Sequence, residues 1–150
     1  MIEEVMGLDQ NRMVVLSLKP RFAEAILVGL KTVEFRRIMP KIEVPTRALL
    51  YASTPTQALL GTCIVTDVLS SDLAGLWREH GSQSALAYSE FKAYFTDLTV
   101  GTALMLAQPQ SFSIEVPLQD LRAEPQGFRP PQSFAYVDTD TGNRLIQMAA

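Results

Sequence analysis

A chain of 150 residues, 47% hydrophobic and 19% charged, is long enough to bury a core and is predicted to form one globular domain. Its net charge of −3 excludes a protein coated with basic residues for nonspecific DNA binding. No apolar run approaches the roughly 20 residues that cross a bilayer. The start, MIEEVMGLDQ, has three acidic residues and no basic one, whereas a secretory signal begins with basic residues. A soluble, cytoplasmic protein without membrane contact is therefore predicted.

Cysteine and histidine each occur once, as Cys63 and His80. Cys63 stands in the apolar run LLGTCIV, which favours a buried, inert thiol over a nucleophile. One residue of each type is too few for a typical transition-metal site, so we expect no metal and no cofactor.

The first elements follow from hydrophobic periodicity. Residues 1–12 lack it and are predicted to be a mobile N-terminal segment, whereas MVVLSL (13–18) is typical of a buried strand. Pro20 suits the first position of an amphipathic helix, RFAEAILV, and Gly29 is expected to end it in a left-handed conformation. A short strand, containing Val33 and Phe35, should follow.

The remaining chain alternates strands and helices. RALLYAS (47–53) and ALLGTCIVTDVLS (58–70) are predicted strands, the second with a bulge at Gly61. Two helices follow, LAGLWREH and SEFKAYFTDL, in which Trp77, Phe91, Tyr94 and Phe95 are expected to face the core. TALMLA and FSIEVPLQDL read as two further strands, and residues 138–150 as a tail or a weak edge hairpin. This order predicts an α+β fold with a mostly antiparallel sheet that curls into a small β-barrel flanked by short helices.

Three polar residues alternate along the short strand in GLKTVEFRR (29–37). Because side chains two residues apart share a strand face, Thr32, Glu34 and Arg36 should stand in one row. A solvated strand edge explains the row as well as a binding site does. In a cleft, Arg36 would offer a planar fork to phosphate or a base edge, and Glu34 would orient it or accept from an amino group.

Basic residues are concentrated in one segment. Between Arg12 and Arg47, eight basic residues face three acidic ones, a local charge of +5, so that the remainder carries −8. Lys19 lies at a helix start, where backbone N–H groups attract anions. This distribution suits a focused anionic ligand, although scattered solvated charges would give the same count.

The ordered motifs resemble those of a known family. The run LSLKPRFAEAILVGLKTVEFRR, then YASTP, the spacing from Gly61 to Val65, and PPQSFAYV are similar to the ASCH domain, a branch of the PUA-like β-barrel superfamily. The resemblance covers about residues 13–137, taken as the domain. It implies a cleft beside the first helix that binds RNA or a modified nucleobase, with Lys19, Lys31, Glu34 and Arg36 carrying the family pattern.

Some ASCH proteins are enzymes, and the resemblance therefore implies a second possibility. One branch removes the acetyl group of acetylated cytidine with a lysine, a threonine three residues later and a distant glutamate. This sequence departs from that pattern, because Glu34 stands three residues after Lys31 and the threonine is Thr32. Ribonuclease activity is known for other members.

Three functions remain open from the sequence. The first is a binding module for single-stranded RNA or a nucleotide. The second is a small hydrolase of a modified nucleoside or of RNA, with Lys31, Thr32 and Glu34 as catalytic candidates. The third is a protein-interaction domain. The sequence does not predict an oligomeric state. The candidate ligand-binding residues are Lys19, Lys31, Glu34, Arg36, Arg37, the turn residue Ser53, and Gln132 and Ser133, which two prolines hold in place.

Overall fold

The secondary structure closely follows the hydrophobic pattern of the sequence. The computed structural model describes residues 11–125 and 127–149, so most of the expected mobile segment 1–12 lies outside the described residues. The strands are β1 (Arg12–Leu18), β2 (Val33–Arg36), β3 (Thr46–Ala52), β4 (Ala58–Asp72), β5 (Val100–Pro117) and β6 (Phe134–Asp138). The helices are α1 (Pro20–Leu27), α2 (Leu73–His80), α3 (Tyr88–Tyr94), α4 (Leu118–Leu121) and α5 (Thr139–Gln147), with a 3₁₀ turn at Gly81–Gln83.

All six strands belong to one mixed sheet, in the order β2-β5-β4-β3-β1-β6. β1 and β3 run parallel, and α1 and β2 supply the crossover that parallel neighbours require. The four other pairings in the described residues are antiparallel. β2 and β6 are not paired with each other within residues 11–125 and 127–149. The α+β class is confirmed, whereas the closed, mostly antiparallel barrel is not, because the sheet remains open between these two edges.

β1 is buried on both faces, which explains its continuous apolar sequence. Leu16 packs in a cluster with Ile26 of α1, and Val15 packs on the opposite face with Leu145 of α5. α1 begins at Pro20 as predicted, and Gly29 follows its last turn with a φ of +85°. Only glycine adopts this left-handed conformation without steric cost. The chain thereby reverses and enters β2.

The two longest strands pair along almost their full length. The register shifts near Gly61, where a side chain would place its Cβ 2.3 Å from the carbonyl oxygen of Gln110. The predicted bulge is therefore confirmed. The prediction of two separate strands, TALMLA and FSIEVPLQDL, is wrong, because β5 is one strand that pairs with β4 from Val100 to Pro117. Pro117 is its last residue and leads into α4.

The C-terminal segment is a helix, so the expected tail or edge hairpin at residues 138–150 is wrong. Asp138 caps α5 by accepting a hydrogen bond from the backbone N–H of Thr141 at 2.7 Å. Leu145 and Ala149, one helical turn apart, are buried against the face of β1 opposite α1. This packing supplies the stability that a short helix lacks alone.

α2 and α3 cover the end of the sheet formed by β2 and β5. Phe91 of α3 and Phe95, which directly follows this helix, are buried there as predicted, and the rings of Phe35 and Phe91 are 5.0 Å apart at their centres. Trp77 packs against the same cluster. None of the described helices is long and apolar enough to cross a membrane.

Candidate functional site

A cavity of about 580 Å³ lies beside α1, where residues from both edges of the sheet approach one another. Its walls come from the β1–α1 turn, the α1–β2 turn, β2 itself, the loops that follow β3 and precede β6, and α3. All the predicted ligand-binding residues line it: Lys19, Lys31, Glu34, Arg36, Arg37, Ser53, Gln132 and Ser133. Residues separated by more than 100 positions in sequence therefore share one concave surface. Their contact with a ligand stays a prediction.

An ion-pair network forms the floor of the cavity. The Oε1 atom of Glu34 lies 3.1 Å from Nζ of Lys31, and its Oε2 atom lies 2.7 Å from a terminal nitrogen of Arg36. All three residues are buried, at 9% exposure or less. Burying charges is costly unless they are paired and hydrogen-bonded, and here one carboxylate serves two cations. When Lys31 is protonated, its charge and that of Arg36 exceed the single negative charge of Glu34, and the three side chains together carry a net charge of +1.

The guanidinium of Arg36 holds the two edges of the sheet together. One terminal nitrogen donates to the carbonyl and the hydroxyl of Ser133, at 3.0 and 2.8 Å. The other donates to the carbonyl of Ser17 at 3.1 Å and pairs with Glu34. The two terminal nitrogens of the predicted fork are thus used within the protein and are not available for phosphate. The buried Nε–H is left without a hydrogen-bond partner in the described residues.

The side chain of Lys31 is buried and closely surrounded by other groups of the protein. Its ammonium donates to the backbone carbonyl of Ser84 at 2.5 Å, pairs with Glu34 and lies 5.1 Å from the ring centre of Phe22. Burial lowers the pKa of Lys31, Glu34 opposes this effect, and the nearby positive charges of Arg36 and Arg21 lower the pKa further. The amine therefore loses its proton more readily than an exposed lysine does.

Thr32 does not line the cavity with Glu34 and Arg36, so the expected row of three residues beside a cleft is wrong at this position. β2 begins at Val33, although the carbonyl of Thr32 still accepts a hydrogen bond from the backbone N–H of Leu106 in β5. Thr32 is exposed, does not line the cavity, and its backbone donates to the carbonyl of Gln83. A reaction in which Lys31 activates the Thr32 hydroxyl inside the cavity has no geometric support.

The rim of the cavity is more exposed and is also basic. Arg21 pairs with Glu90 of α3 across the opening, and the pKa of Glu90 is lowered by the backbone N–H of Ala87 and by Arg21. Arg37 donates to the carbonyl of Tyr94 at 2.7 Å. Among the lining residues five basic side chains face two carboxylates: Lys19, Arg21, Lys31, Arg36 and Arg37 against Glu34 and Glu90.

Only some of the basic residues in the segment from Arg12 to Arg47 meet at the cavity. Five of the eight between Arg12 and Arg47 line the cavity. Arg12, Lys41 and Arg47 do not; Arg12 instead lies 4.2 Å from the ring centre of Tyr136. The local charge excess counted from the sequence is therefore split between one cavity and the surface elsewhere.

Sequence reasoning missed two aromatic residues of this site. Tyr94, expected in the core, is 38% exposed and lines the cavity. Phe22 lines it as well, from the first turn of α1. The sequence contained a signal for Tyr94: it lies four residues after Glu90, and this spacing puts both side chains on one face of the helix.

Cys63 lies outside the cavity, and its inert character follows from its position. Its side chain is wholly buried in the α1 face of the sheet, and burial raises the pKa of the thiol to about 12. Within the described residues, no three histidine, cysteine or acidic side chains come together as a metal site would need.

Comparison with known proteins adds to this geometry. A protein-family model described as the ASCH domain matches residues 16–113. A relative from Zymomonas mobilis, named ASCH domain-containing ribonuclease, is 30% identical over 136 residues, which are 91% of each chain. The crystal structure of ASCH from Zymomonas mobilis matches with a TM-score of 0.86 and covers 91% of this chain and 94% of that chain.

A protein of much lower sequence identity also has a similar fold. Human THYN1 protein, solved in complex with 5-methylcytosine containing DNA, has a TM-score of 0.60 and covers 92% of this chain and 97% of that chain. Its sequence identity is 8%, so the similarity concerns the fold alone.

Proposed function

Because this chain belongs to the ASCH domain family, we propose that its cavity binds single-stranded RNA or a single nucleotide, modified or not. The observation that carries this proposal is the ion-pair network at the cavity floor. Two buried cations, Lys31 and Arg36, share the one carboxylate of Glu34, and the uncompensated positive charge faces a solvent-accessible space. An anionic ligand offsets such a charge, and the basic rim attracts it.

The shape of the cavity favours an unpaired nucleotide over a duplex. Tyr94 offers a ring surface on which a base can stack, whereas the ring of Phe22 already lies against Arg21 and Lys31. Lys19 and Arg21 at the opening are placed for phosphate, and Gln132 offers amide groups to the polar edge of a base. A cavity of this kind receives a base that is splayed out of its stack. In duplex RNA the bases lie inside a deep, narrow major groove, where the residues of the cavity cannot reach them.

Fluorescence anisotropy with a labelled ten-nucleotide RNA tests this proposal. Binding should weaken as salt rises and should be stronger for the single strand than for the same sequence annealed to its complement. The matched variants are Lys19→Ala and Lys41→Ala, which remove one charge each from the same basic segment, but only Lys19 lines the cavity. Lys19→Ala should reduce the slope of log K against log salt by about 0.7, and Lys41→Ala should leave it unchanged. Equal effects of the two substitutions, or no salt-sensitive binding, would contradict the proposal.

A second candidate function is hydrolysis of RNA in the same cavity, with a modified nucleoside as the alternative substrate. Two observations favour it, namely the name of the Zymomonas mobilis relative and the lowered pKa of Lys31. In RNA cleavage the 2′-hydroxyl loses its proton to water, its oxygen attacks the adjacent phosphorus, and the bond to the 5′-oxygen breaks. The departing oxygen takes up a proton, and a water molecule then opens the resulting 2′,3′-cyclic phosphate. The charge of the Lys31–Glu34–Arg36 network would stabilise the negative charge that develops on the phosphate oxygens.

Gel electrophoresis of an end-labelled RNA separates cleavage from binding alone. We expect Lys31→Met to abolish cleavage while circular dichroism shows an intact fold, and Thr32→Ala to cleave like the unaltered protein. Acetylated cytidine, followed by chromatography, tests the nucleoside alternative. An RNA and a nucleoside that both stay intact at high protein concentration would leave the binding function, and loss of turnover in Thr32→Ala would reject the assignment of the site.

A further inference from the structure

A second concave surface lies on the other side of α3. It is a cleft of about 510 Å³ between α2 and α3, here called the α2–α3 cleft, and its main lining residues are Leu73, Trp77, Arg78, Tyr88, Phe91 and Lys92. None of them lines the first cavity. α3 separates the two surfaces, because Glu90 and Tyr94 face the cavity whereas Tyr88, Phe91 and Lys92 face the cleft.

The wall of the cleft is aromatic. The ring of Trp77 lies 5.3 Å from that of Tyr88 and 5.0 Å from that of Phe91, measured between centres. Gly81 permits this arrangement, since a Cβ there would come within 2.5 Å of the indole. Tyr88 is 52% exposed although it belongs to the aromatic group, so its ring offers a surface that the protein itself does not cover.

The charges beside these rings are positive. Nζ of Lys92 lies 5.7 Å from the ring centre of Tyr88, and Arg78 is exposed on α2, where its contact with Glu79 is a loose one at 3.8 Å. In the described part of the chain no carboxylate lines the cleft. On a protein with a net charge of −3, a basic and aromatic surface suits a ligand that combines a flat ring with an anion. Bases and phosphates of a single strand have this composition.

We propose that the α2–α3 cleft is a second nucleotide site, which stacks a base on Trp77 and Tyr88 and places a phosphate beside Lys92 and Arg78. This inference rests on the proposed function for the identity of the ligand, because the same strand would occupy both surfaces. Only the width of one helix, about 10 Å, separates the two sites. A strand that crosses α3 would therefore place one nucleotide in the cavity and another, further along, in the cleft.

Trp77 makes the proposal directly measurable, since it is the only tryptophan in the 150 residues. A base stacked on the indole should quench its fluorescence, so titration with a dodecamer of uridylate should give saturable quenching that weakens as salt rises. The double variant Tyr88→Ala/Lys92→Ala should weaken binding of this dodecamer at least about fivefold. Tyr136→Ala is the matched control, because Tyr136 also carries a cation over its ring but lines neither the cavity nor the cleft.

The two proposals fail in different ways. If anisotropy shows RNA binding while Trp77 emission stays constant and the double variant binds normally, the cleft site is wrong and the cavity function stands. Conversely, Lys19→Ala should lower the affinity for the dodecamer but keep the full quenching at saturation. Quenching by polyglutamate and not by RNA would also overturn the cleft proposal, in favour of an acidic protein partner. Absence of RNA binding in both measurements would overturn both proposals.

Discussion

Replacing Glu34 by Gln tests how the cavity floor is held together. The substitution keeps the size of the side chain but removes the negative charge that lies 3.1 Å from Lys31 and 2.7 Å from Arg36. Two buried cations would then face each other without a carboxylate between them. Breaking a buried ion pair by removing one partner typically costs about 3–5 kcal/mol, because the remaining charge is left uncompensated.

That cost is a large part of the stability of an ordinary domain, which is about 5–15 kcal/mol. For a chain of this length, each kcal/mol lowers the melting temperature by about 2–4 °C. We therefore expect Glu34→Gln to fold at room temperature but to melt about 6–20 °C below the unaltered protein.

The stability of this variant should also depend on pH in a defined direction. Glu34 is the group that raises the pKa of Lys31, so its removal lowers that pKa further below the ordinary value of 10.5. Between the two values the unfolded chain holds a proton on Lys31 that the folded chain has released. The free energy of unfolding therefore rises with pH in this window, and the deficit of the variant should shrink as the pH rises toward 10.5.

Urea denaturation at several pH values, followed by circular dichroism, measures both effects. Glu43→Gln is the control, because Glu43 is exposed in the same basic segment and lines no part of the cavity. Its free energy of unfolding should change by no more than about 0.5 kcal/mol. If Glu34→Gln unfolds at the same urea concentration as Glu43→Gln, the network does not hold the cavity floor and the electrostatic argument for an anionic ligand loses its basis.

Three further predictions concern the rest of the fold. Gly61→Ala should destabilise the protein by about 1–3 kcal/mol, because the new Cβ would overlap a backbone oxygen of β5 as well as the side chain of Leu27; an unchanged urea midpoint would contradict this. Leu145→Ala should cost about 2–5 kcal/mol, since Leu145 is fully buried and fixes α5 to the sheet; truncation of α5 as a whole should destabilise the protein at least as much. Cys63 should resist iodoacetamide at pH 8 in the folded protein and react once urea unfolds it, because burial raises the pKa of its thiol to about 12; rapid alkylation of the folded protein would contradict the buried position.

The parts of the fold that were predictable have local causes. Pro20 and Gly29 mark the two ends of α1 through their backbone preferences alone, and the apolar run of β1 follows from burial on both faces. The position of Glu34 and Arg36 on one face of β2 follows from alternation. Each of these features depends on residues only a few positions apart, which is the range over which sequence patterns are informative.

The errors have causes that involve distant residues. Whether β5 continues past its middle is decided by its pairing with β4, and whether the sheet closes is decided by the distance between β2 and β6. Nothing near Thr32 shows that the strand begins one residue later. Similarly, the fork of Arg36 is occupied by Ser17 and Ser133, and the second of these lies 97 residues away. The sequence therefore predicted which residues meet at the cavity, but not which of them are free to bind.

The role of Arg36 limits how this site can change during evolution. Its guanidinium bridges Ser17 and Ser133 at the gap in the sheet, so the same side chain that lines the cavity also fastens the two ends of the fold. A substitution at Arg36 would disturb the floor of the cavity and this junction of the fold together, so the floor could not change at this position without a cost to folding. Lys19 at the opening is exposed, and it is free to vary without disturbing that junction. Among related proteins, the residues at the rim of the cavity should consequently vary more than those at its floor.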